Sequence, residues 1–126
     1  MTMTEGTIAD LRVRDDHTVL AVRLPWYRSL PLSCVESVAV AIDGRSAAVR
    51  SVTIPGFTGT LADAAHRDDL AWDLRDPLIV TLDATTEPDR TVIVDLDIAV
   101  RVPYIQQAPG VPLVQRAVVR TEATTR

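Results

Sequence analysis

Thr91-Val92-Ile93-Val94-Asp95-Leu96-Asp97-Ile98-Ala99-Val100-Arg101-Val102 sets Val94, Leu96, Ile98, Val100 and Val102 on one face and Asp95, Asp97 and Arg101 on the other. A period of two is that of a β-strand with one face in a core and one in water. The stretch therefore predicts a long strand lying centrally in a sheet. Upstream, Leu78–Asp83 and Leu70–Leu74 read as strands separated by Asp76-Pro77, and Glu87–Arg90 reads as a turn. Val35–Ile42 alternates in the same way, with small Ser37, Ala39 and Ala41 on its second face. Asp43-Gly44 after it signals a tight hairpin, because glycine tolerates the positive φ of a type I′ turn, so Arg45–Val52 is expected to run back antiparallel.

Thr18–Leu24 alternates too, and Ile8, Leu11 and Val13 lead into an Asp15-Asp16-His17 turn, which makes the first pair another hairpin. Leu61–His66, capped by Thr60, is the one helical candidate and is too short to define a layer. The whole reads as all-β: an antiparallel β-sandwich of about seven to eight strands with one short helix or turn segment, a single domain over 1–126. Residues 1–6 are expected to fray. The segment 103–126, broken by Pro103, Pro109 and Pro112, is expected to be an extended tail that stays off the sheet and lies against another surface.

Length and composition suit one globular domain: 126 residues, 47% hydrophobic and 24% charged. Net charge is −4 and the thirteen basic residues, all Arg, are scattered, so no basic stripe offers itself to nucleic acid. One cysteine, Cys34, excludes an intrachain disulfide. With no signal-peptide pattern and no apolar run of membrane-spanning length, the reading is cytoplasmic, with no membrane partner.

The catalytic inventory is thin. His17, His66 and Cys34 have no metal-ligand spacing, and no phosphate-binding glycine loop or nucleophile elbow occurs. Asp95 and Asp97 share a strand face and could imitate a carboxylate pair, but a solvated face balanced by Arg101 is the better reading. Cys34 enters a core-like strand and reads as an inert buried thiol. No catalytic residue and no metal ligand is assigned to this chain.

The segment Arg23-Leu24-Pro25-Trp26-Tyr27-Arg28-Ser29-Leu30-Pro31-Leu32-Ser33 interrupts the strand pattern with two aromatics and an arginine between prolines. Proline fixes φ and donates to no ladder, so this reads as a stiff loop. Trp, Tyr and Arg are the residue types enriched in interface hot spots, against which stands a purely structural corner closing the sandwich.

This segment, with Val35-Glu36-Ser37-Val38-Ala39-Val40, the Asp43-Gly44 turn, Trp72-Asp73 and Val100-Arg101-Val102-Pro103-Tyr104, resembles the small β subunit of bacterial C-glycoside deglycosidases over about residues 8 to 104. The resemblance implies a heteromer with a larger α subunit, similar to sugar-phosphate isomerase barrels, that holds a divalent metal, manganese by analogy, and the acid and base groups. It implies a C-glucoside already oxidised to the 3-ketone, whose acidified carbon-2 proton permits elimination of the aryl group from carbon 1. Pro25, Trp26, Tyr27, Arg28, Pro31 and Tyr104 would then form the partner interface at the active-site entrance. Two other readings stand beside it: a free-standing binding module for carbohydrate or aromatic ligands using Trp26 and Tyr27 as a stacking platform, and an independent hydrolase or lyase using His17 or His66 with Asp95.

Overall fold

The computed structural model describes residues 6–126, so the frayed start expected at the N-terminus lies, for residues 1–5, outside the described residues. The chain is all-β, built as β1 (Ile8–Val13), β2 (Thr18–Val22), β3 (Leu30–Pro31), β4 (Val35–Ile42), β5 (Arg45–Ala47), β6 (Val49–Ile54), β7 (Phe57–Gly59), α1 (Leu61–Ala64), β8 (Ala71–Trp72), β9 (Leu78–Leu82), β10 (Thr91–Ala108) and β11 (Val111–Thr124). Four of these strands are no longer than three residues, and the longer ones correspond to the alternating segments of the sequence plus the tail.

Two antiparallel sheets, β1-β2-β9-β6-β7 and β11-β10-β4-β5, close on one apolar core, and β3 and β8 pair separately. Alternation decides what each strand buries. Val94, Leu96, Ile98, Val100 and Val102 of β10 are all within 1% of full burial and face Leu20, Val52, Val80 and Leu82 in the same cluster. β10 lies centrally, between β11 and β4, as its pattern predicts. In the β4–β5 turn Asp43 and Gly44 both take positive φ, 50° and 81°, the geometry a two-residue hairpin of this hand requires. Asp43 also accepts from the Ile93 backbone N–H at 2.8 Å, which ties that turn to β10. α1 is one turn, held by a capping box in which Thr60 Oγ1 accepts from Asp63 N and the Asp63 carboxylate accepts from Thr60 N.

Two expectations are corrected. Arg45–Val52 is not one strand: Arg45–Ala47 pairs with β4, and after exposed Ala48 the chain crosses to the other sheet, where Val49–Ile54 pairs with β9. The small Ala47-Ala48 pair lets the chain bend between sheets, a common way to make a sandwich corner. The tail does join a sheet. β10 runs on through Pro103 to Ala108, turns at Gly110 (φ 75°) and returns as β11, paired with β10 from Thr91↔Thr124 to Val102↔Leu113. Pro112 is tolerated because β11 is an edge strand and the register is already irregular there.

The C-terminus then clasps the two sheets. Arg126 N donates to Leu11 O and Arg126 O accepts from Val13 N, while buried Thr125 donates through Oγ1 to Glu87 O at 2.6 Å. No helix among the described residues is long and apolar enough to cross a membrane.

Candidate functional site

The proline-bracketed loop sits at the end of the sandwich where β10 passes beyond β4. Pro25 is buried and Pro31 takes part in β3, paired with Ala71. Both therefore anchor the loop to the scaffold. Ser29 Oγ accepts from Leu74 N at 3.2 Å, which brings the 73–76 turn alongside. Trp72, fully buried, donates its indole N–H to Asp76 O at 2.9 Å and holds that turn from below.

The expected exposed aromatic pair is half right. Trp26 is only 8% exposed and belongs to the core, whereas Tyr27 is 56% exposed. A buried indole must satisfy its N–H, and Trp26 does so by donating to the Tyr104 hydroxyl at 2.7 Å across 78 residues of chain. Tyr27 stacks on the outer face of Trp26 with centroids 4.5 Å apart. Tyr104, itself 53% exposed, accepts the indole proton and keeps its own hydroxyl proton to donate. The free-standing stacking platform of Trp26 with Tyr27 is thus replaced by an exposed Tyr27 and Tyr104 mounted on a buried Trp26. Arg28 is exposed and, unlike most arginines of the chain, has no hydrogen bond or carboxylate partner among the described residues.

Sequence reading did not anticipate Leu74, 46% exposed beside this loop; Val111, 43% exposed on the β10–β11 hairpin, belongs to the tail that was expected to lie against another surface. The signal for Val111 was present as an apolar residue in a proline-rich stretch. For Leu74 there was none, because the expected Leu70–Leu74 strand is shorter than it reads: pairing stops at Trp72 and Leu74 falls in the turn that follows.

Elsewhere most of the arginines meet carboxylates. Asp97 is bridged by Arg116, and Asp95 by Arg120 at 2.6 Å, both arginines coming from β11. Arg101 instead meets Glu36 at 2.7 Å and the Ser33 carbonyl, which corrects its expected role beside the aspartates. His17 sits in the β1–β2 turn against Asp16 at 2.5 Å, and His66 follows α1, so neither is joined to Asp95 as an acid/base set. Among the described residues no three His, Cys, Asp or Glu side chains converge as a metal ion would require.

These ion pairs set a pH dependence. The Arg75 guanidinium and the Arg75 backbone N–H hold the Asp73 carboxyl down at about 2, and Arg12, Arg67 and Arg116 lower Asp10, Asp69 and Asp97. A carboxyl whose folded value lies below its unfolded one stabilises the fold above the unfolded value and loses that stabilisation as pH falls through the folded one. The urea midpoint is therefore expected to be insensitive to these groups at neutral pH and to fall between 3.8 and about 2. A midpoint that rose over that window would contradict the pairing.

The family profile described as C-glycoside deglycosidase beta subunit matches residues 6–104. The 3'-dehydrocarminate deglycosidase beta subunit of a Microbacterium species is 33% identical over 109 residues, covering 84% of this chain and 82% of that protein. A C-glycoside deglycosidase beta subunit of Arthrobacter globiformis is 29% identical over 105 residues, covering 80% of each chain. Another, from Microbacterium trichothecenolyticum, is 31% identical over 97 residues, covering 75% of this chain and 74% of that one.

Proposed function

This chain belongs to the C-glycoside deglycosidase beta subunit family, and from that membership we propose that it is the supporting subunit of a carbon–carbon lyase complex, docked on a larger α subunit at the mouth of the active site. The substrate class is a 3-oxo-C-glucoside, a reading supported by the relative named for a 3'-dehydro substrate. In this reading the metal and the acid and base groups of the elimination belong to the α subunit, as the family resemblance implies.

The observation that carries the docking surface is the grouping of Tyr27, Arg28 and Tyr104 at one end, exposed, on a scaffold fixed by Pro25, Pro31 and buried Trp26. Two phenols and an unpaired guanidinium supply apolar area and donors together, and a loop already held in place loses little entropy on docking. Tyr27 and Tyr104 would close one side of the entrance, and Arg28 would meet a carbonyl or carboxylate of the partner.

The test is co-expression with the α subunit, followed by measurement of subunit affinity and of kcat/KM on a 3-oxo-C-glucoside. Tyr27→Ala and Arg28→Ala should each weaken association or kcat/KM by about tenfold or more while the lone chain unfolds at an unchanged midpoint. Unaltered assembly and turnover in both variants would remove this end from the interface.

A further inference from the structure

The β10–β11 hairpin beyond the sheet has a feature the loop does not share. From Val102 to Gln115 the chain carries no charged residue, although 24% of the whole is charged, and Arg101 and Arg116 stand immediately outside this stretch. β4 accompanies β10 only as far as Val100↔Val35, so past that point the hairpin is a two-stranded ribbon with no third strand. Such a ribbon is marginal in water by itself. Most of its residues from Pro103 to Val111 are exposed, Tyr104 and Val111 among them.

We propose that this ribbon is a docking arm that seats in an uncharged recess of the larger partner subunit. The inference rests on the reading of the chain as a deglycosidase β subunit and extends its contact surface from Tyr104 along the whole hairpin. Depletion of charge is what marks the fully buried part of an interface. Pro103, Pro109 and Pro112 remove N–H donors along the ribbon, so a partner strand cannot simply extend it, and contact is made by the side-chain faces. The arm is aimed before it docks: the Tyr104 hydroxyl is held by Trp26, and Ile105 and Leu113 pack partly against the core at its root.

Continuity with Tyr27 and Leu74 decides the occupant. The arm and the exposed loop lie at the same end, so one partner covers both. A second copy of this chain is a poorer fit, because the outer face of its four-stranded sheet is crossed by the Arg116–Asp97, Arg120–Asp95 and Arg101–Glu36 pairs and presents charge where the arm carries none.

Val111→Glu and Gln107→Glu, each at an exposed position, put a charge on the arm without removing a core contact. In the full-length chain co-expressed with the α subunit, each should weaken association about tenfold or more, with the unfolding midpoint of the lone chain unchanged. If both variants assemble with unchanged affinity while Tyr27→Ala still weakens the complex, the arm is idle and the inference is wrong, although the β-subunit reading stands. If the wild-type chain fails to associate with the α subunit at all, that reading itself has failed. If Val111→Glu instead abolishes self-association of the lone chain and spares the complex, the occupant is a second copy and the proposal is overturned.

Discussion

Truncation after Tyr104 is expected to abolish cooperative folding of the chain. The cut removes all of β11, and with it the strand partner that β10 keeps from Thr91 to Val102. Six inward side chains of β10, Val92 to Val102, would then line an edge open to water on one side, and Ala117, fully buried in the intact core, would be gone. The clasp made by Thr125 and Arg126 to Glu87, Leu11 and Val13 goes as well. Folded domains are held by only about 5–15 kcal/mol, and losing a strand that long from a central pairing exceeds such a margin. Urea unfolding followed by circular dichroism decides the matter. A single cooperative transition in the truncated chain would show that β11 is dispensable and that the tail is an appendage, as its prolines suggest when read alone.

Trp26→Ala is expected to destabilise the lone chain by about 3–5 kcal/mol, the range for emptying a large aromatic site in a core. Removing the buried indole leaves a cavity in the core cluster, and the Tyr104 hydroxyl loses the donor that fixes the arm. For a domain of this size such a loss lowers the melting temperature by about 10 °C or more. Tyr27→Ala, removing a ring that is mostly in solvent, should shift it by a small fraction of that. Equal shifts in the two variants would mean that the stacked pair is buried as a unit. Trp26 is thus part of the core and Tyr27 is presented to solvent, where reading the two side by side had given them one role.

Alternation alone was enough to show the all-β class, the central place of Thr91–Val102 and the inward set Val94 to Val102, because a period of two leaves each side chain only two directions and one of them is apolar. The Asp43-Gly44 turn and the Thr60 cap were equally legible, each being fixed by the φ or the hydrogen bond of one or two neighbouring residues. What neighbours in sequence cannot show is pairing at a distance. That Trp26 turns inward depends on Tyr104 being there to accept a hydrogen bond from its indole N–H. That Pro103 to Gln115 becomes a ribbon depends on β10 being long enough to carry the turn past the sheet. That Asp95 and Asp97 are neutralised by Arg120 and Arg116 depends on β11 folding back in that register. Local sequence determined which residues were apolar, which segments were strands and where they turned. The tertiary structure alone decided which aromatic is buried, which is presented and where the proline-rich end lies, since burial and ion pairing are properties of two segments meeting and neither segment carries them alone.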